Sequence, residues 1–414
     1  MALDKQSKVK PEQAVILCGG LGTRMKPFTN TIPKPMVLCN DKPFLWHLLF
    51  QLHEQGIFRF VLLTGYLSEK ISNYFGNGSS WGWDIQYSVG PVEWDTGKRV
   101  WEARAQLDSL FLLLYSDNFS IFPLKKVFNF HIEKQNPLTF MVVSKKPGNL
   151  SLNKDGIVQK YDNSRSSTDL NYVEIGYMIV ERDMTFSFYD SPECSFSEVL
   201  QKMAVQDKIS AWIQDDVYHS ISDPSRWKKT QRYLKQKKII LIDRDGVLNK
   251  KAPQGEYISK WGDFEWIHDS RVGMQTLAKE GFKFIIITNQ AGIARGMIKS
   301  SELINIHNKM RRELELDGIE ILDIYICPHH WDENCYCRKP KPGMLFQASK
   351  DYFIRLDKTI FIGDDERDIE AAFNASSNGL LISNENTSNN YIKKELKSFK
   401  SLLDALQKIR GTLI

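Results

Sequence analysis

The sequence predicts an α/β chain of two domains, and three observations predict it. The chain has 414 residues, too many for one ordinary core. Two apolar runs, Ala14 to Cys18 and Ile239 to Ile242, each open without a break into a loop of glycines and charges. That is the pattern of a buried strand delivering a site at its carboxyl end. Between them the basic stretch Arg226 to Lys238 reads as a helix or linker with a solvated face. The domains are therefore expected at 13–235 and 236–414.

Composition narrows the class. Apolar content of 42% and charged content of 25% are ordinary for a globular protein. A net charge of +5 does not by itself imply a nucleic-acid partner. The start, MALDKQSKVKPEQ, has no apolar core segment of a signal peptide, and no apolar run approaches the roughly 18 to 20 residues of a membrane helix. A cytoplasmic protein without a membrane partner is expected.

In the first half, AVILC leads into GGLGTRMKPFTNTIPKPMV. Gly19, Gly20 and Gly22 let backbone approach a phosphate, and their N–H groups can cradle it. Arg24 and Lys34 add positive charge. The string is neither a P-loop nor a dinucleotide fingerprint, because GKS/T is missing and the glycine spacing differs from GxGxxG. Further on, FLLLYSDN is a buried strand that ends at Asp117.

The succession of strand, GGLGTR and PKPM closely resembles the signature of the sugar-1-phosphate nucleotidyltransferases. The resemblance continues through Pro43 to Gly76 as helix, strand, turn and helix. It implies a mixed-sheet, Rossmann-like domain in which Gly19, Gly20, Gly22, Thr23 and Arg24 hold the nucleotide's phosphates. It further implies that Lys34 contacts phosphate, Gly97 lies near the base and Asp117 binds Mg²⁺. A sugar-1-phosphate oxygen would attack the α-phosphorus and release pyrophosphate, with the protein positioning reactants and neutralising charge. Several positions depart from the family pattern. Lys98 stands in DTGKR where a glycine is usual, Ser116 precedes Asp117 in place of glycine, and QKYDN replaces the usual Glu-Lys-Pro segment. Ser220 occupies the place of a second metal-binding Asp, with Asp223 or Asp216 as substitutes. These departures leave open a domain that binds sugar or nucleotide without transferring. Glu174, at the start of a strand, is either a holder of sugar hydroxyls or a strand-end acid.

In the second half, IILIDRDGVLN places Asp243 and Asp245 after a buried strand. Residues i and i+2 of a strand share a face, so both carboxylates can meet one ligand; the alternative is a solvated turn. FKFIIITNQAGIARG is a second buried strand ending in Thr288, and TIFIGDDERDIEAA is another, ending in Asp364 and Asp365. Helical stretches such as SELINIHNKMRRELEL alternate with them, which implies a parallel sheet.

Six cysteines are present, and Cys327, Cys335 and Cys337 crowd together with His329 and His330. Without a secretion signal, such a cluster points to metal rather than disulfides. Cys327, His329, Cys335 and Cys337 supply the four ligands of a tetrahedral structural zinc; the alternatives are reactive thiols, or His330 in place of His329. Arg338 and Lys339 follow directly.

Two acids after one strand, Thr288, Lys339 and the acids after a last strand resemble, in order, the motifs of the haloacid-dehalogenase phosphatases. The resemblance implies Asp243 as nucleophile forming an aspartyl-phosphate, Asp245 as general acid and base, and Thr288 and Lys339 on the phosphoryl group. Mg²⁺ would be held by Asp243, the Asp245 carbonyl and Asp364, with Asp365 and Asp368 outside the coordination. DRDGVLN, TNQAGIARG, the Cys/His loop and RKPKPGM together resemble the heptose-1,7-bisphosphate 7-phosphatases, more than the related histidinol-phosphate phosphatases. In that family Arg338 and the loop around Asn289 and Arg295 help bind substrate.

The two resemblances fit one pathway, because such a phosphatase makes heptose 1-phosphate and a heptose-1-phosphate nucleotidyltransferase consumes it. A bifunctional enzyme of nucleotide-activated heptose synthesis for a surface glycan is expected, using sugar phosphates and a nucleoside triphosphate, GTP by resemblance. The alternatives are a phosphatase with a non-catalytic binding module, or a histidinol-phosphate phosphatase.

Overall fold

A computed structural model describes residues 10–165, 167, 169–215, 218–383 and 398–413. Asp216, one of the substitutes for a missing carboxylate, lies outside the described residues. The chain divides into two compact units, Met1–Leu234 and Lys235–Ile414. No helix among the described residues is long and apolar enough to cross a membrane.

The first unit is built on a mixed nine-stranded sheet. The strand Gln13–Cys18 is buried at every position, because it lies between parallel neighbours, Arg59–Thr64 on one side and Leu110–Tyr115 on the other. Asp84–Val89 extends the parallel part beyond Arg59–Thr64. On the other side the long strand Tyr172–Glu181 turns the sheet antiparallel, pairing with both Leu110–Tyr115 and Leu138–Ser144. Successive connections therefore leave Gln13–Cys18 in opposite directions, and the gap between it and Leu110–Tyr115 is the switch point where such sheets open a crevice. Gly19 follows one of these strands and Asp117 the other.

The second unit carries a five-stranded, all-parallel sheet in the order Ile321–Cys327, Lys283–Asn289, Ile239–Ile242, Ile360–Gly363, Asn378–Leu381. Alternate residues of its central strand serve different cores. Ile240 and Ile242 pack with Phe284, Ile286, Met310 and Ile362. Ile239 and Leu241 pack with Ile285, Ile287, Leu345 and Phe361. A strand covered on both faces has no room for a polar residue, which explains the unbroken apolar run. Full burial of each such side chain stabilises by about 1.5–3 kcal/mol. The switch point here lies between Ile239–Ile242 and Ile360–Gly363, so Asp243 and Asp364 come out side by side.

Candidate active sites

In the second unit, four loops meet at the carboxyl ends of the strands, and Lys339 is their centre. Its ammonium is 2.8 Å from Asp243 Oδ1, 2.7 Å from Asp368 Oδ1 and 2.9 Å from the Ile287 carbonyl. The side chain is only 3% exposed, and the two carboxylates keep it firmly charged: burial favours the neutral amine, but Asp243 and Asp368 outweigh it. Burial also pushes the Asp243 carboxyl up, against the pull of Lys339. Asp364 is pushed up to about 6 by burial, with Lys251 opposing.

Asp243, Asp364 and Asp368 present oxygen atoms within 4.8 Å of one another. Asp364 Oδ1 is buried without a hydrogen-bond partner, an arrangement that an unscreened protein interior does not tolerate cheaply. These carboxylates fit a hard divalent cation. The close approach also explains Gly246, which has φ +91°; a β-carbon there would stand 1.9 Å from Asp364 Oδ2.

Asp368, expected outside the coordination, is buried in the site. Besides Lys339, its second oxygen accepts the backbone N–H groups of Asp364 and Asp365, each at 3.2 Å. It ties the lysine to the backbone of the loop carrying Asp364 and Asp365. Asp365 instead caps the helix Glu366–Asn374 and pairs with Arg367, which hold its carboxyl well below the usual range.

Asp245 is surrounded by donors. Arg244 donates from Nε at 3.1 Å and from Nη2 at 2.9 and 2.8 Å, Asn249 from Nδ2 at 2.9 Å and Gln290 from Nε2 at 2.8 Å. Burial alone would raise its pKa, but the Arg244 charge and these hydrogen bonds hold it below the ordinary value. Arg244 itself is fully buried, and its Nη1 lies 3.0 Å from His307 Nε2. Burial and the guanidinium push that imidazole down to about 3, so His307 is a neutral acceptor. Thr288 is buried, and its hydroxyl accepts from Gln290 Nε2 at 2.9 Å. Arg244, Gln290 and His307 were not among the residues singled out by the sequence.

Asn289, expected against substrate, meets the Lys339 backbone. Its Nδ2 donates to the Lys339 carbonyl at 3.2 Å and its Oδ1 accepts the Lys339 N–H at 3.1 Å. Both ends of the amide clamp the Lys339 backbone. Arg295 lies over the rings of Tyr257 and Trp331, at 5.6 and 5.4 Å, and donates to the Tyr257 hydroxyl at 3.3 Å. Arg338 keeps one buried nitrogen, Nη1, without a partner.

The four expected soft ligands converge. Cys327 Sγ is 3.7 Å from His329 Nδ1 and 3.6 Å from Cys335 Sγ, while Cys337 Sγ is 3.1 Å from His329 Nδ1 and 3.5 Å from Cys335 Sγ. With zinc–sulfur bonds of about 2.3 Å, the edges of a tetrahedron are about 3.8 Å, so the donor set fits that ion. His330 is engaged elsewhere: its Nδ1 accepts the Asp332 N–H at 3.4 Å and caps the turn Trp331–Glu333.

In the first unit, Lys34 Nζ is 2.6 Å from Asp117 Oδ2. Gly22 has φ +63°, and a β-carbon there would stand 2.8 Å from Lys34 Cβ, so this glycine is what lets the loop lie on the lysine. Gly20, Thr23 and Arg24 are exposed, whereas Gly19 is buried. Beneath Gly19 lies Arg99, 4% exposed and not anticipated. Its guanidinium donates to the carbonyls of Thr64 and Pro91, at 2.7 and 2.5 Å, tying the loops after two strands. Ser116 is buried and donates to the Leu17 carbonyl at 2.6 Å, lashing the two strands of the crevice together.

Gly97 has a packing reason of its own. A β-carbon there would meet the backbone of Cys194 to Phe196, at 2.1 Å from the Cys194 carbonyl. Lys98 pairs with Glu193 and lies over Trp94. Glu174 accepts the Gly176 N–H at 2.7 Å; burial pushes its carboxyl up to about 7, assisted by the Asp117 charge.

Ser220 does stand beside Asp117. The short strand His219–Ser220 pairs with Asn118–Phe119, and the Ile221 N–H donates to the Asp117 carbonyl at 2.9 Å. In place of a carboxylate, the buried Ser220 hydroxyl meets Arg226 Nη1 at 3.3 Å. Asp223 caps the helix Pro224–Leu234 by accepting the Arg226 N–H at 2.9 Å. Among the described residues, Asp117 belongs to no group of three metal-ligating side chains. A lone carboxylate still fits Mg²⁺ when substrate phosphates supply further oxygens.

Comparison with known proteins agrees with this division. Residues 13–160 match the family described as nucleotidyl transferase, and residues 238–406 that described as polynucleotide kinase 3 phosphatase. The chain is 42% identical over 141 residues to a D-glycero-alpha-D-manno-heptose-1,7-bisphosphate 7-phosphatase of Photorhabdus laumondii, covering 32% of this chain and 75% of that one. It is 36% identical over 178 residues to a D-glycero-beta-D-manno-heptose-1,7-bisphosphate 7-phosphatase of Helicobacter pylori, covering 41% of this chain and 98% of that one. HddC from Yersinia pseudotuberculosis is similar at 22% identity and a TM-score of 0.46, over 54% of this chain and 100% of that one.

Fold and site thus define a phosphatase of the haloacid-dehalogenase type joined to a nucleotidyltransferase domain. The chain belongs to the family of the heptose-1,7-bisphosphate 7-phosphatases.

Proposed function

We propose that the chain is a bifunctional cytoplasmic enzyme that removes the 7-phosphate of a heptose 1,7-bisphosphate and transfers a nucleotidyl group to the resulting heptose 1-phosphate. The product would be an activated heptose for surface-glycan synthesis. The observation that carries the phosphatase half is the convergence of Asp243, Asp364 and Lys339 at one switch point.

An oxygen of Asp243 attacks the phosphorus, and the bond from phosphorus to the sugar oxygen breaks. Asp245 gives the leaving alkoxide a proton and later takes one from the water that hydrolyses the aspartyl-phosphate. The base half suits the arrangement seen here, in which Arg244 keeps Asp245 ionised; the acid half requires that pairing to loosen as substrate enters. Lys339 and Thr288 hold the transferring oxygens, and Asn289 and Asp368 hold Lys339. Arg338, with its unpartnered nitrogen, and Arg295 bind the rest of the substrate. Asp243, Asp364 and the Asp245 carbonyl would hold Mg²⁺, which when bound lets two anions approach. Cys327, His329, Cys335 and Cys337 would hold a structural zinc that fixes the loop leading to Lys339.

In the first unit, Gly19, Gly20, Gly22, Thr23 and Arg24 cradle the triphosphate, with Lys34 and Asp117 at its reacting end. Resemblance to heptose-1-phosphate guanylyltransferases makes GTP the expected nucleotide. A second reading, a binding module without transfer, is favoured by Ser220 and Arg226 standing where a second carboxylate is expected.

The test is release of phosphate and pyrophosphate from heptose 1,7-bisphosphate, Mg²⁺ and each nucleoside triphosphate, with Asp243→Asn and Asp117→Asn variants alongside. Phosphate release lost with the first change and pyrophosphate release lost with the second would support both activities. Phosphate without pyrophosphate, even when heptose 1-phosphate is supplied, favours the binding module. No phosphate release would sink the heptose assignment.

A further inference from the structure

Lys251 has no part in the chemistry above, yet it reaches into the metal-binding carboxylates. Its ammonium lies 2.6 Å from Asp364 Oδ2. Three acidic side chains within 4.8 Å repel one another in a poorly solvated site, and two lysines answer them. Lys339 serves Asp243 and Asp368; Lys251 serves Asp364.

The two lysines differ in how firmly they are placed. Lys339 is 3% exposed and anchored by a backbone carbonyl as well. Lys251 is 49% exposed, whereas Asp364 is 13% exposed, so its long side chain enters the site from solvent and can withdraw to it. Gly246 leaves the path open: a β-carbon there would stand 2.7 Å from Lys251 Cε. The oxygen that Lys251 meets belongs to the carboxylate proposed to ligate the metal.

We infer that Lys251 is a displaceable internal counter-ion, which neutralises Asp364 in the metal-free protein and competes with the divalent cation for it. Resting on the reading of Asp243 and Asp364 as metal ligands, this adds a residue that sets the affinity of the site. The ammonium meets Oδ2 and leaves the unpartnered Oδ1 to a metal ion, so the two compete through charge repulsion across one carboxylate, and loading the site drives Lys251 outward. Its replacement by a neutral side chain removes a competitor, and also removes the positive charge paired with Asp364 before metal arrives.

The experiment measures Mn²⁺ binding by electron spin resonance on the full chain, with Asp117→Asn present throughout so that the second unit alone is read. Lys251→Gln is expected to bind Mn²⁺ about three- to tenfold more tightly. Its thermal midpoint without Mn²⁺ is expected to fall by about 2–4 °C, with the midpoint at saturating Mn²⁺ unchanged. Lys251→Arg, which keeps the charge, should stay near the parent on both measures. Unchanged or weaker Mn²⁺ binding by Lys251→Gln overturns the competition while leaving the metal site standing. Mn²⁺ binding that survives Asp364→Asn undiminished, or is missing in the parent, overturns the carboxylate reading and the inference with it.

Discussion

Lys339 Nζ sits between Asp243 Oδ1 at 2.8 Å and Asp368 Oδ1 at 2.7 Å, one carboxylate proposed to react and the other to hold the lysine in place. Asp368→Asn keeps the shape and loses the charge that fixes Lys339. Phosphate release at saturating substrate should fall about 100-fold, against about 10⁴-fold or more for Asp243→Asn. Equal losses would mean that Asp368 does more than position.

The Cys/His loop should behave as one unit with the phosphatase site, because Arg338 and Lys339 directly follow Cys337. Cys335→Ser should reduce bound zinc, measured by atomic emission, from about one ion per chain. Phosphate release should fall about 10- to 100-fold, with a lower thermal midpoint. Full zinc content in the variant would rule out Cys335 as a ligand.

Removing the cation beside Asp245 should be visible in pH dependence. Arg244 and the surrounding donors hold Asp245 below the ordinary carboxylate value, so Arg244→Met should raise it. The basic limb of the kcat/KM profile for phosphate release, where the general acid loses its proton, should then move to higher pH. A limb that stays in place would show that another group titrates there.

Glu174 gives a stability test in the first unit. Its carboxyl is raised by burial from 4.5 to about 7, so the folded state holds a proton that the unfolded state has lost. The associated stability is present below about 4.5 and lost as pH rises through about 7. Glu174→Gln should therefore gain about 1–3 kcal/mol on the parent at pH 8, and little at pH 5. Urea unfolding at both values measures this; an equal difference at the two would exclude the cause.

Much of the architecture could be read from the chain because it depends on local pattern. Ile239 to Ile242 is apolar throughout since both faces are covered, and the acids follow where the strand ends. The convergence of Cys327, His329, Cys335 and Cys337 was legible for the same reason, the four being close in sequence. Partners that depend on side-chain direction were not. Nothing in TNQ reveals that Asn289 turns to the Lys339 backbone while Gln290 turns to Asp245. Arg244 lies between two acids, and only the fold shows that it is fully buried beneath one of them. Gly97 resembles a nucleotide contact in its string, but the observed close approach is to the Cys194–Phe196 backbone. The spacing from Asp365 to Asp368 did carry a signal: it is a capping box, and that reciprocal cap is present.

The central strand of the second unit is also the first of its sheet to be synthesised. Ile239–Ile242 leaves the ribosome before Lys283–Asn289 can cover one edge, and long before Ile360–Gly363 can cover the other. For that interval its hydrogen-bonding edges and apolar side chains have no native partner within their own sheet, and pairings so far apart along a chain form slowly. Translation speed and chaperone supply should therefore govern the yield of active phosphatase, and recombinant production at lowered temperature should favour it.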